Sequence, residues 1–267
     1  MDRLLVLRLR AQGVSAEAWL NGLPLARTPR GGGDCCVPVH EFVIAGDNRL
    51  ELVVDPPSVV GAAGGAASAA AYGDGAARAD ASLLLPRVGQ VASDQTARVL
   101  GQVAWASPDG EVYRPPVRLV QELDIPVRFP RWRWLDAPPV ADAEGLRGAA
   151  ATYLQDVAIA LSRGDAEHLI VAAKLRFEEL ALAYQRPLAD DLARWRARVQ
   201  LLHAQKALRP ELPTPESLQL RPVADGRLLE CLAADGLPAL RSARPDGSRV
   251  YWPMRLAAVE RRFYPLR

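Results

Sequence analysis

The sequence predicts two domains, an N-terminal antiparallel β-sandwich and a C-terminal α+β domain with three helices followed by an antiparallel meander. Two observations predict this architecture. The first half alternates short apolar runs with turn residues, as β-sandwiches do. In the second half, three apolar stripes at helical spacing precede a region of repeated Asp-Gly turns, at Asp225-Gly226, Asp235-Gly236 and Asp246-Gly247. Asp-Gly between apolar runs favours a β-hairpin, because glycine accepts a positive φ.

The domain boundaries follow from changes in composition along the 267 residues. Residues 1–128 carry the strand-like runs, and residues 142–267 carry the helices and the meander. The segment 129–141 contains prolines, which end both strands and helices, so we predict a linker there. Residues 55–82 are rich in Ala, Gly, Pro and Ser, which predicts a long loop inside the first domain.

Composition limits the classes of function. Hydrophobic residues make up 49% and charged residues 24% of the chain, as in soluble globular proteins. With Lys+Arg 33 against Asp+Glu 31, the charge balance gives no support for nucleic-acid or anionic-membrane partners. The N-terminal residues lack the pattern of a signal peptide, and we expect a cytoplasmic protein. The excess of Ala, Gly, Pro and Arg is typical of GC-rich bacterial genomes.

The strands of the first half are bounded by turn residues. A half-buried strand is predicted over residues 3–10, and a two-residue hairpin at Asn21-Gly22. A polar loop over 28–34 separates this hairpin from the next run. Further strands are predicted over residues 35–44, 49–54, 82–85, 98–106 and 117–129, with turns at 46–48 and 108–110.

Two motifs of this half resemble galactose-binding-like jelly rolls, the modules attached to many glycoside hydrolases. They are Trp19-Leu20-Asn21-Gly22 and the later run from Gly46 to Leu52, which reads G-D-N-R-L-E-L. The resemblance covers about residues 1–55 and implies a β-sandwich. Since the motif residues form turns, it leaves sugar binding open.

The second half begins with apolar residues spaced three and four apart, which predicts helices over 146–161, 169–184 and 188–202. Asp165 is placed to cap the second helix, and prolines break the chain at 210, 213 and 215 before the meander. Helices followed by a curved meander, over about residues 143–267, resemble the nuclear-transport-factor-2-like (SnoaL-like) superfamily. That resemblance implies a cone-shaped sheet around the helices, often with a pocket at its wide end.

The most unusual tetrapeptide is Arg131-Trp132-Arg133-Trp134. Trp and Arg are enriched at the energetic centres of protein interfaces, because they join apolar area to hydrogen-bonding tips. We therefore predict a partner-binding site at Arg131, Trp132, Arg133 and Trp134. The alternative is that these rings fill the joint between the domains. Trp195, Tyr251 and Trp252 are interpreted as core of the C-terminal domain.

No catalytic residues, metal site or cofactor are predicted. The three cysteines, Cys35, Cys36 and Cys231, do not suggest a disulfide framework. Cys35, Cys36 and His40 could supply zinc ligands, but a four-ligand site would need a further ligand from elsewhere in the chain. An acid–base group could form from His168 with Asp165, Glu167 and Glu178. The alternative is the first turn of an exposed helix, where acids favour the helix dipole.

These observations predict a non-enzymatic bacterial protein that works by binding another protein. A secretion-system accessory or a toxin-neutralising immunity protein fits this description. A carbohydrate- or small-ligand-binding module is the alternative, and a SnoaL-like enzyme is a third hypothesis. Nucleic-acid and membrane partners are not expected, and homo-oligomerisation stays open.

Overall fold

The computed structural model describes residues 3–56, 77–108, 111–125 and 129–267. Most of the predicted loop at 55–82, the turn at 108–110 and the end of the predicted strand at 117–129 lie outside these residues. The chain divides into two compact units, Met1–Arg131 and Trp132–Arg267, so the division falls inside the segment predicted as a linker. Antiparallel sheets dominate, as predicted. In the described parts, no helix has the length and apolar character needed to cross a membrane.

The first unit is built from antiparallel strands in a sandwich-like arrangement. The described residues form two four-stranded sheets, with the orders β4-β1-β6-β7 and β3-β2-β5-β8. The strands are β1 Val6–Gln12, β2 Ala16–Leu20, β3 Leu23–Thr28, β4 Gly32–Pro38, β5 Gly46–Val54, β6 Ala77–Leu85, β7 Arg98–Ser107 and β8 Val117–Ile125.

The alternation of side chains along each strand places apolar residues between the sheets. Leu9 on β1 and Leu52 on β5 are fully buried, whereas Arg10 is partly exposed. A Cβ atom on Gly101 of β7 would lie 2.3 Å from Leu123 Cδ2 on β8. These two strands belong to different sheets, so glycine at 101 allows the close approach of the sheets.

Two asparagines of the jelly-roll-like motifs meet in the structure. Asn21 adopts φ 52° in the β2–β3 turn, and its Nδ2 donates to Asn48 Oδ1 at 2.8 Å. Asn48 is fully buried; its Oδ1 also accepts from Ile44 N, and its Nδ2 donates to the carbonyls of Ile44 and Gly46. The motif therefore ties the β2–β3 hairpin to the start of β5, which is a structural role.

Replacing Asn48 with alanine is expected to lower the free energy of unfolding by about 2–3 kcal/mol, because four part-buried hydrogen bonds are lost together. Urea denaturation measures the change. Asp47→Ala is the control, since Asp47 is exposed beside Asn48 and should change stability by about 0.5 kcal/mol or less. Equal effects of the two substitutions would contradict the proposed role of Asn48.

Three predicted segments of the first unit were wrong in their bounds. Strand β4 begins at Gly32, inside the predicted loop 28–34, and a short 3₁₀ helix, His40–Phe42, occupies the end of the predicted strand 35–44. Pairing of β4 with β1 overrides the low strand propensity of glycine. A Cβ atom on Gly32 would lie 2.2 Å from Ala11 O, so this pairing requires glycine. Strand β6 begins at Ala77, within the predicted loop 55–82.

The second unit begins with helices, which are α1 Arg147–Ser162, α2 Ala166–Ala172, α3 Lys174–Ala183 and α4 Leu188–Ala204. Asp165 caps α2 as predicted, since its Oδ1 accepts from the backbone N–H groups of Glu167 and His168. The predicted helix 169–184 is wrong as a single element. It is divided at Ala173, which has φ −103° and ψ 22°. Because α2 and α3 both pack against α4, tertiary packing overrides the high helix propensity of alanine.

The strands of this unit form two sheets, so the prediction of one meander was wrong. They are β9 Arg209–Glu211, β10 Leu218–Val223, β11 Leu228–Ala233, β12 Arg241–Ala243, β13 Arg249–Tyr251, β14 Arg255–Val259 and β15 Arg262–Pro265. The sheet orders are β10-β11-β14-β15 and β13-β12-β9. Pro238 and Pro253 bracket the excursion through β12 and β13. Proline cannot donate to a strand ladder, so the chain leaves the larger sheet there.

The core of the second unit lies among its helices and strands. Leu154 and Val157 of α1, Val199 of α4, Cys231 of β11 and Leu256 of β14 are all buried in one cluster. The cysteine thiol is surrounded by this cluster, and burial raises its pKa.

Candidate functional site

A cavity of about 180 Å³ lies in the second unit, beside the bend between α2 and α3. We call it the aromatic pocket. Helix α4 and the segment that joins β13 to β14 complete its walls. Its apolar lining includes Leu169, Phe177, Leu180, Trp195, Trp252 and Met254.

Three rings form one corner of the aromatic pocket. The Trp195 and Trp252 ring centroids lie 5.3 Å apart with an interplanar angle of 74°, an edge-to-face contact. The Phe177 centroid lies 5.8 Å from that of Trp195. Edge-to-face pairs combine large apolar area with a fixed geometry. The corner therefore offers a pre-formed apolar surface.

The local sequence explains how α4 presents its part of the site. Trp195, Val199 and Leu202 follow at intervals of four and three residues, which places them on one helical face. Arg198 lies three residues after Trp195, so the two side chains are neighbours on the helix surface. Trp252 comes from a distant part of the chain, directly before Pro253.

Arg198 lies over the rings of the corner. Its guanidinium carbon is 5.0 Å from the Trp252 centroid and 6.0 Å from the Trp195 centroid. Its side chain is exposed. Across the described residues, no carboxylate forms an ion pair with Arg198. The guanidinium is thus held by cation–π contact and remains available to an anion.

The polar groups of the aromatic pocket are mainly donors. Arg176 lines the pocket and donates from Nη1 to Pro253 O at 3.4 Å. The buried indole Nε1 atoms of Trp195 and Trp252 have no hydrogen-bond acceptor in the part of the chain that the structure describes. Buried indole N–H groups usually find an acceptor. The arrangement can hold an apolar body, and the exposed Arg198 guanidinium can donate to an acceptor oxygen.

The predicted partner-binding site contains both buried and exposed residues; its members are Arg131, Trp132, Arg133 and Trp134. Trp132 is 0% and Trp134 2% exposed, so neither indole presents a surface. Arg131 and Arg133 are exposed. Partner binding at this motif and the alternative that the rings fill the joint between the domains both stay predictions.

The surroundings of the motif show a buried ion pair. Glu179 Oε2 accepts from Arg267 Nη1 at 2.5 Å, and Glu179 Oε1 accepts from the backbone N–H of Arg133 at 2.7 Å. The Arg267 guanidinium carbon lies 5.6 Å from the centroid of Trp132. The ion pair with Glu179 thus fixes the Arg267 guanidinium that lies over the Trp132 ring. The sequence did not predict this pair.

The other candidate groups do not come together. Cys35 and Cys36 are successive residues of β4 and point to opposite faces, and the buried His40 accepts from Leu5 N through Nε2 at 2.8 Å. In the described ranges, no group of three or more His, Cys, Asp or Glu residues could hold a metal. His168 is exposed in the first turn of α2.

An aromatic side chain also lies on the first unit. The indole Nε1 of Trp19 on β2 donates to Glu17 at 3.1 Å, and the Arg118 guanidinium carbon lies 5.6 Å from its ring centroid. A sugar-stacking platform needs an open ring face. Arg118 already covers a face of Trp19, so we do not take this ring as the candidate site.

A larger polar groove of about 500 Å³ lies on the same unit, beside β1 and β6. Its charged side chains already have partners. Arg10 contacts Asp80 at 2.9 Å, and Asp34 contacts an arginine that does not line the groove. Arg78 donates to the neutral side chain of Gln12. Because these side chains are already engaged, we expect the groove to offer less to a ligand than the aromatic pocket does.

Sequence reasoning placed Trp195 and Trp252 in the core, and missed the roles of Phe177, Arg176 and Arg198. The position of Arg198 three residues after Trp195 was a visible signal. The comparisons add no assignment, since no protein-family model, curated protein or solved structure matches the chain.

Proposed function

We propose that this chain is a non-enzymatic protein-binding protein, and that its partner inserts an apolar side chain into the aromatic pocket. The edge-to-face corner of Trp195 and Trp252 is the observation that carries this proposal. Rigid aromatic pockets are the usual anchors of protein interfaces.

The size of the aromatic pocket supports a side chain as the inserted group. Its volume of about 180 Å³ equals that of about six water molecules at about 30 Å³ each. That space suits one aromatic or large aliphatic side chain. The partly enclosed walls would remove most of such a group from water.

The binding free energy expected for one buried aromatic group favours a protein partner over a single small molecule. Burying one aromatic group gains about 4–6 kcal/mol before the costs of association. A dissociation constant of about 1 mM corresponds to about 4 kcal/mol. A lone fragment should therefore bind weakly, and a partner protein would add contacts around the pocket. A role in a secretion system or in toxin immunity remains a proposal about the partner's context.

Filling the aromatic pocket is expected to abolish binding. Leu180 lies in its wall, so Leu180→Trp should occupy the cavity. Saturation-transfer NMR with the neutral fragment 3-phenylpropanamide measures binding to the full chain. The signal should be present for the wild type and lost for Leu180→Trp.

The matched control is Leu182→Trp on the same helix, because Leu182 is 58% exposed and lies outside the pocket. This variant should bind the fragment like the wild type. Affinity capture with the three proteins then tests the partner: one stoichiometric protein should be retained by the wild type and Leu182→Trp but lost with Leu180→Trp. Equal fragment signals for two folded variants would contradict the assignment of the pocket.

A further inference from the structure

The charged side chains that line the aromatic pocket are all positive. Arg176 and Arg198 are the charged side chains of its lining, and no lining residue is acidic in the described chain. Tyr251 is the remaining titratable group of the lining. A group that enters the pocket therefore meets two positively charged side chains beside aromatic walls.

Arg198 is positioned to bind an anion and forms no ion pair within the residues that the structure describes. Its position over Trp252 limits the freedom of the side chain, so less entropy is lost when it pairs. A guanidinium stacked on a ring keeps the N–H donors in its own plane for hydrogen bonding. Arginine binds carboxylates through two parallel N–H···O bonds.

We infer that the group taken by the aromatic pocket carries a carboxylate, and that Arg198 pairs with it. This inference rests on the proposed function and names the chemistry of the inserted group. An apolar body with an adjacent carboxylate describes the last residue of a protein chain as well as a free aromatic acid.

Two probes of equal shape test the charge. These are 3-phenylpropionate and 3-phenylpropanamide, whose affinities for the full chain are measured by NMR titration. The wild type should bind the acid about tenfold more tightly than the amide, as one charge-assisted pair gives. Arg198→Gln should remove this preference for the acid over the amide, and Arg198→Lys should retain part of it.

Arg194→Gln is the matched control. Arg194 lies on the same helix, is paired with Asp191 and does not line the aromatic pocket, so the variant removes the same charge elsewhere. It should keep the preference for the acid. Equal binding of acid and amide would overturn the inference while the pocket assignment stands. Binding of neither probe would instead count against the proposed function itself.

A third probe, N-acetylphenylalanine, distinguishes the two sources of the carboxylate. Tighter binding than 3-phenylpropionate would support the end of a partner chain, because the added amide mimics the preceding peptide bond. Weaker binding would support a free aromatic acid and would count against a protein partner. Either result supports pairing of the carboxylate with Arg198 only if Arg198→Gln weakens binding of the probe. Binding that is insensitive to Arg198→Gln would overturn the inference.

Discussion

Replacing Glu179 with alanine is expected to lower the free energy of unfolding by about 3–5 kcal/mol. Glu179 is 5% exposed, and Arg267, its ionic partner, is 3% exposed. Removing the carboxylate leaves a buried guanidinium without its counter-charge, which is the costly way to break such a pair. The backbone N–H of Arg133 loses its acceptor in the same change.

Urea denaturation, followed by tryptophan fluorescence, measures this loss. The control is Glu178→Ala, one residue earlier on α3, because Glu178 makes only a more exposed pair with Arg133 at 2.8 Å and a distant one with Lys174. That change should cost about 0–1 kcal/mol. A loss below about 1 kcal/mol for Glu179→Ala would show that the buried pair does not hold the second unit together. Replacing both Glu179 and Arg267 by apolar residues should recover much of the stability.

Trp132→Ala is expected to destabilise the chain by about 3–5 kcal/mol, the usual cost of deleting a buried aromatic side chain. Trp132 is among the largest fully buried side chains of the described residues. Its removal leaves a cavity and takes away the ring over which Arg267 lies. Trp132→Phe should cost less, since most of the volume is kept.

Thermal and urea unfolding of Trp132→Ala and Arg131→Ala provide the comparison. Arg131 is exposed and adjacent to Trp132, so its change should stay within about 0.5 kcal/mol. If Trp132→Ala is as stable as the wild type, the indole is not a packing element and the partner-binding hypothesis for this motif gains weight. Partner binding at the motif is better tested with Arg133→Ala, because Arg133 is exposed.

Turn chemistry is what the sequence predicted best. Asn21-Gly22 connects β2 to β3, and Asp225-Gly226 connects β10 to β11 with positive φ at both residues. Such turns depend on two neighbouring residues, so local reasoning is sufficient. The cap at Asp165 belongs to the same class, because it bonds residues two and three positions later.

Features set by distant contacts could not be predicted in this way. No proline or glycine lies at the bend at Ala173, so the local sequence does not indicate it. The bend follows from packing on α4. The split of the C-terminal strands depends on β12 pairing with β9, which lies about 30 residues earlier. A single sequence does not reveal which strands will pair across such separations.

The candidate site was hidden for the same reason. Phe177, Trp195 and Trp252 come from three separate elements, and each fits an apolar stripe by itself. Only their convergence distinguishes a pocket from a core. The Arg/Trp tetrapeptide stood out in the sequence because its four residues are consecutive. In the structure its arginines are exposed and its tryptophans are buried, so the four side chains do not form one surface.

The placement of the three thiols gives each compact unit its own chemical reporter. Cys36 of the first unit is exposed, Cys35 is intermediate, and Cys231 is enclosed in the core of the second unit. A thiol-alkylating reagent should therefore label Cys36 before Cys231 in the native protein. Labelling of Cys231 requires the second unit to open. Peptide mass mapping over time would thus report the opening of the second unit without an added label site, and the same measurement applies to the Glu179 and Trp132 variants.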